Sequence, residues 1–122
     1  IMPLLISDKL KYKEWMIGIA YLEGLKDYTI VEGKENLCYF DKRRITLKNY
    51  ANPYDYPLVH KELLRNGFNL YRMGSIKYTF LHELSHALGG SYEKHGPMFR
   101  ERLLRLMEKY APKRARNSKD RS

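Results

Sequence analysis

His82, Glu83 and His86 form a His-Glu-x-x-His pattern inside the run from Tyr78 to Gly90, which is mostly apolar. On a helix, residues four apart share a face, with Cβ atoms roughly 5–6 Å apart. Two imidazoles so placed can converge on one zinc ion, each nitrogen about 2.0–2.1 Å from it. Glu83 stands about 100° further round the same helix, too far to be a third ligand. It is placed instead to act as the general base that takes a proton from an attacking water. The chemistry expected of this trio is that of a zinc-dependent hydrolase, with peptide bonds as the substrate.

Catalytic zinc takes three protein ligands and keeps one position open. Of the four histidines, His60 and His95 remain. His95 is the better third ligand. It follows Gly89-Gly90, which can reverse the chain, and Gly96-Pro97 after it can start a helix that packs across the first. His60 precedes the motif on a short helix and reads as a surface or half-buried side chain. Glu93 and Glu101 are the carboxylate alternatives, and Glu93 is within reach of the same loop. A tetrahedral intermediate also needs a donor for its oxyanion. Tyr92 is nearest in sequence, but the chain has eleven tyrosines, so proximity alone selects it.

The elements that must position these groups are legible in outline. Ser7 reads as an N-cap and Asp8 as a first-turn residue of a helix. That helix carries Leu10, Trp15, Met16, Ile19, Ala20 and Leu22 at mostly helical spacing, and Gly24 stops it near Leu25. Its other face is basic and solvated; a base-stacking surface made by Tyr12 and Trp15 is the alternative. Residues 28–31, 37–40 and 44–47 are strand-like, and residues 32–36 read as a turn. Together they predict a small antiparallel sheet of about three strands, whose edge strand would hold an extended substrate. Pro57 opens a short helix to Arg65. A longer helix begins between Asn69 and Ser75 and runs to Leu88. Its core stripe is Met73, Ile76, Phe80, Leu81, Leu84, Ala87 and Leu88, with the histidines beside it. A last helix runs from Pro97 to about Tyr110, and Pro112 ends it. The fold class is therefore α+β, a minimal zincin-like domain with three to four helices over residues 1–111. Residues 112–122 form a basic tail expected to be disordered when free.

The chain has 122 residues, a net charge of +9 and a sequence pI near 9.6. Such a balance favours a polyanionic partner, nucleic acid before an anionic membrane surface. Cys38 is the only cysteine, which excludes an internal disulfide and a thiolate-built zinc site, and favours an intracellular, cytoplasmic or nuclear, home. No apolar run approaches the roughly 20 residues of a membrane span. The first six residues are too short for a signal peptide and carry no basic leader. Nothing in the sequence sets an oligomeric state.

Leu81-His-Glu-Leu-Ser-His-Ala-Leu88 followed by His95-Gly-Pro-Met-Phe99 resembles the SprT-like (Spartan-type) zinc metalloprotease domain. That family reads His-Glu-x-x-His-Ala, a spacer, then His-Gly-x-x-Phe or a close variant. The resemblance covers residues 28–110, and only the two histidine motifs are specific. It implies one catalytic zinc on His82, His86 and His95, Glu83 as base, and cleavage of proteins, including those crosslinked to DNA. Many members carry a cysteine zinc ribbon after the protease domain, which a chain with one cysteine cannot build; basic faces and the basic tail would have to meet DNA instead. The WLM peptidases resemble the segment less well, because their histidine spacing is shorter. Metzincins do not fit, since their third histidine would fall at Tyr92. Two rival functions stand beside the peptidase. One is a nucleic-acid-binding module with a structural zinc closed by a fourth ligand such as Glu93 or Cys38. The other is a partner-specific metalloprotease toxin or regulator that ignores DNA.

Overall fold

The computed structural model describes residues 12–48, 56–69, 75–90 and 94–111. In chain order they form α1 (Lys13–Leu22), β1 (Thr29–Glu32), β2 (Leu37–Tyr39), β3 (Arg44–Leu47), α2 (Pro57–Arg65), α3 (Ser75–Gly89) and α4 (Pro97–Tyr110). The α+β class and the positions of α2, α3 and α4 match the sequence expectation, whereas α1 begins at Lys13, after Tyr12, rather than at Asp8, and ends at Leu22 rather than near Leu25. The proposed Ser7 cap, Met73, Tyr92, Glu93 and the basic tail lie outside the described residues.

α1 buries Met16, Ile19 and Ala20, spaced as one helical face requires. Trp15 packs edge-on to Phe80 of α3, ring centroids 5.8 Å apart. Lys77 of α3 sits over both Tyr12 and Trp15, at 4.9 and 5.5 Å. These two rings therefore serve the core and a cation of the same chain, rather than an open stacking surface.

The sheet corrects one expectation. It is mixed, not antiparallel, with strand order β1-β3-β2. β1 runs parallel to β3, from Thr29 opposite Arg44 to Glu32 opposite Leu47. β2 runs antiparallel to β3, with Cys38 opposite Ile45. The reason lies in residues 33–36, which do not make a hairpin but cross the end of β3. Gly33 donates its N–H to the Leu47 carbonyl at 3.0 Å, and Asn36 Oδ1 accepts from the Lys48 N–H at 2.7 Å. A Cβ at Gly33 would stand 1.9 Å from Thr46 Cγ2, so a side chain there closes the passage. The hairpin turn that returns the chain into the gap uses Arg43 at φ +48°, where its guanidinium pairs with Asp27 at 2.7 Å.

α3 is the centre of the molecule. It packs on β2 and β3 on one side and on α4 on the other. The sequence suggested one apolar stripe, but burial continues round the helix: Ile76, Tyr78 to Ser85 and Ala87 are all buried. The polar members Thr79, His82, Glu83 and Ser85 are thereby taken out of water, which costs free energy unless each finds a partner. Ser85 does so by donating to the Phe99 carbonyl, while its own carbonyl accepts from Arg102 Nη1 at 2.9 Å. Gly90, at φ +75°, takes the left-handed turn that ends α3 and frees the chain to return as α4. α4 answers with Phe99, Leu103, Leu106 and Met107, all fully buried. Truncating any of these to alanine would cost roughly 2–5 kcal/mol.

The far ends of α1 and α4 are joined by one carboxylate. Glu23, just past α1, accepts from Arg105 at 2.8 Å, Lys109 at 3.2 Å and the Tyr110 hydroxyl. Burial alone would raise its pKa, but the hydrogen bonds from Arg105, Tyr110 and Lys109 outweigh burial and hold it at about 2. A carboxyl depressed in the native state adds stability that is complete above its unfolded value of 4.5 and is lost as pH falls through about 2. Both cations are half exposed, so screening keeps the contribution modest. Glu23→Gln is expected to lose about 1–2 kcal/mol in urea unfolding at pH 7. The gap between variant and parent should narrow between pH 4 and pH 2.

Candidate metal centre

α3 presents His82 and His86 one turn apart, and Gly96 at the mouth of α4 sets His95 opposite them. His95 Nε2 lies 2.8 Å from His82 Nε2 and 3.2 Å from His86 Nε2. The three ligand atoms all fall within 4.8 Å of one another. Two nitrogens on one tetrahedral zinc, each about 2.0–2.1 Å from it, would be about 3.4 Å apart. The two separations from His95 Nε2 are shorter than this by no more than about 0.6 Å, so the donor set fits a single ion. Protons can satisfy such facing lone pairs only one pair at a time, whereas a cation at the common point satisfies all three. The three histidines can hold a metal ion.

The surroundings of His82 favour a neutral ring that offers a lone pair. Burial, then the neighbouring His95 and His86, hold the His82 pKa well below the ordinary histidine value. Tyr78, one turn before His82 and buried, places its hydroxyl 3.2 Å from His82 Nδ1. With Nε2 on a metal, Nδ1 would carry the ring proton and donate to that oxygen, the kind of outer-shell bond that fixes a ligand's tautomer. Phe99 is the floor. Its ring lies 5.0, 4.4 and 4.8 Å from the rings of His82, His86 and His95. Tyr56 leans on the site from the residue before Pro57, 4.9 Å from His82 and 4.4 Å from His95.

A cavity of about 210 Å³ opens onto this centre. It is lined by Glu83 and the three histidines from one side, and by Asn36, Leu37, Cys38, Phe40 and Tyr56 from the other. Glu83 is 6% exposed, and burial pushes its carboxyl up to about 7. Compared with protein-family models, with curated proteins and with solved structures, the chain matches none.

The alternative ligands separate cleanly among the described residues. His60 sits on α2, outside the cluster. Glu101 is exposed on α4 and lines a surface groove with Met98 and Arg105. Cys38 shares the cavity but is not in the ligand set, and burial, with Glu83's charge adding, pushes its thiol up to about 12. Sequence reading missed Tyr56 and Tyr78 as site residues and gave Phe99 no role. Tyr78 had a signal, since it lies four residues before His82 and so on the same helix face. Tyr56 had none, because its approach depends on how α2 docks.

Proposed function

We propose that this chain is a zinc-dependent metallopeptidase of SprT-like design, with His82, His86 and His95 as ligands and Glu83 as general base. The observation that carries the reading is the convergence of three imidazole nitrogens in a cavity that also admits the Glu83 carboxyl. A bound zinc would supply Lewis acidity, polarising a carbonyl and making water a nucleophile near neutral pH. Glu83 takes the proton from the attacking water and returns it to the departing amine. Its raised pKa suits both halves of that task, because an acid near 7 gives up and regains a proton at similar cost. Tyr56, which lines the cavity beside two of the ligands, is the candidate hydroxyl donor to an oxyanion. β2 flanks the cavity and pairs with β3 on one side, which suits an extended peptide added along its other side.

Three ligands among the described residues favour an open, catalytic centre over a closed structural one. The +9 charge extends the proposal to substrates held on or near DNA. Among the described residues no helix is long and apolar enough to cross a membrane.

The test is cleavage of an unfolded protein such as casein by the zinc-loaded chain. Expected is cleavage that a chelator stops and added Zn²⁺ restores. A fully zinc-loaded chain that leaves casein intact, with or without DNA, overturns the peptidase reading. In parallel reactions, duplex or single-stranded DNA should raise the rate at about 50 mM salt and lose that effect at about 200 mM. A rate indifferent to DNA would remove DNA from the proposal and favour a partner-specific protease.

A further inference from the structure

We propose that Arg100 is a positioning residue for the metal centre, and that with Glu62 it sets the site's metal affinity by fixing the His95 arm. The inference rests on the metal reading above and adds a determinant outside the ligand set. His82 and His86 ride on a buried helix, whose hydrogen bonds hold them in place. His95 lies before the first residue of α4, outside the helix, so the position of its ring follows how its backbone is held.

Arg100 supplies that hold. Its Nη1 donates to the His95 carbonyl at 2.8 Å, and its Nε donates to Glu62 Oε2 at 2.7 Å. Its own backbone N–H donates to the Gly96 carbonyl at 3.0 Å, closing the first turn of α4 behind the ligand. One guanidinium thus ties three pieces of chain together: α2 through Glu62, the ligand residue through its carbonyl, and α4 on which Arg100 stands. A planar fork with several fixed donors can serve two acceptors at once, which a lysine ammonium on a flexible stem does poorly. The Arg100 side chain is 21% exposed, and Glu62 is 37% exposed. The pair's charge energy is therefore screened, and what it contributes is geometry. α4 carries its own control. Arg105 also pairs with a glutamate, Glu23 at 2.8 Å, but that pair joins α4 to the end of α1 and has no bond to a ligand residue.

The experiment is competition for Zn²⁺ between the full chain and a chromophoric chelator, run beside urea unfolding of the metal-free proteins. Arg100→Ala should bind Zn²⁺ 10–100-fold more weakly, the range typical of lost outer-shell partners. Arg100→Lys should fall between the two. Arg105→Ala should bind as the parent does, although it also loses a salt bridge. Equal affinity in Arg100→Ala and the parent overturns the proposal, and so does an equal loss in Arg105→Ala, which would mean general loosening. Should Arg100→Ala not fold, Glu62→Gln carries the test: several-fold weaker binding is expected, and unchanged binding overturns it. A parent chain that takes up no Zn²⁺ would remove the metal centre itself. A parent that binds, with an Arg100 variant that binds alike, would remove only the clamp.

Discussion

Glu83→Gln is expected to retain zinc and to lose about 10²–10⁴-fold in peptidase rate. The amide keeps the shape of the side chain, so the buried packing around it should persist. It cannot accept a proton, and the described wall of the cavity offers no other carboxylate to take over. The parent and the variant should bind Zn²⁺ alike in a metal assay, because Glu83 is not among the converging ligand atoms. Cleavage undiminished at equal metal content would sink the assignment of Glu83.

His95→Ala should have the other large effect, on the metal itself. His95 is the only member of the ligand set that does not come from α3. Removing it leaves two imidazoles on one helix and disconnects the metal from α4. Structural zinc sites gain about 10–16 kcal/mol over four ligands, so one lost ligand should weaken binding on the order of 10²-fold or more. The parent should also melt at a higher temperature with excess Zn²⁺, by about 2.7 kcal/mol of added stability at 100 times the dissociation constant. That increment should vanish in His95→Ala and persist in His60→Ala. A His95→Ala protein that binds zinc as tightly as the parent would require a different third ligand.

What could be read from the chain, and what could not, follows from the range of the interactions involved. The α3 and α4 boundaries were legible because Gly90, Gly96 and Pro97 act on the backbone locally. The strand segments were legible because Arg44-Ile-Thr-Leu alternates and the link after β1 carries Gly33. Their pairing was not, because a four-residue link looks the same whether it makes a hairpin or crosses a neighbouring strand. The bonds that distinguish the two, from Gly33 N–H to the Leu47 carbonyl and from Lys48 N–H to Asn36, exist only once the sheet has formed. His95 was legible as a ligand because a break and a helix start bracket it. Tyr56 and the Arg100–Glu62 pair were not, since both depend on the packing of α2, and no local pattern encodes how a short helix docks. The all-round burial of α3 was hidden for a related reason. His82 and Ser85 look solvent-facing by residue type, and His95 and the Phe99 carbonyl, from the segment after α3, give them partners inside.

The crossing of residues 33–36 over β3 also bears on how the molecule assembles. β2 and β3 are neighbours in sequence and can zip from their turn, on the microsecond scale of a hairpin. β1 cannot pair until β3 has been laid down and residues 33–43 have closed into a loop, so its docking carries a larger entropic cost and follows later. During synthesis the hairpin that will flank the cavity leaves the ribosome well before His82, and His95 emerges last of the ligands. The wall of the site is therefore available as a template before any metal can be captured, and capture waits for the clasp between α3 and α4.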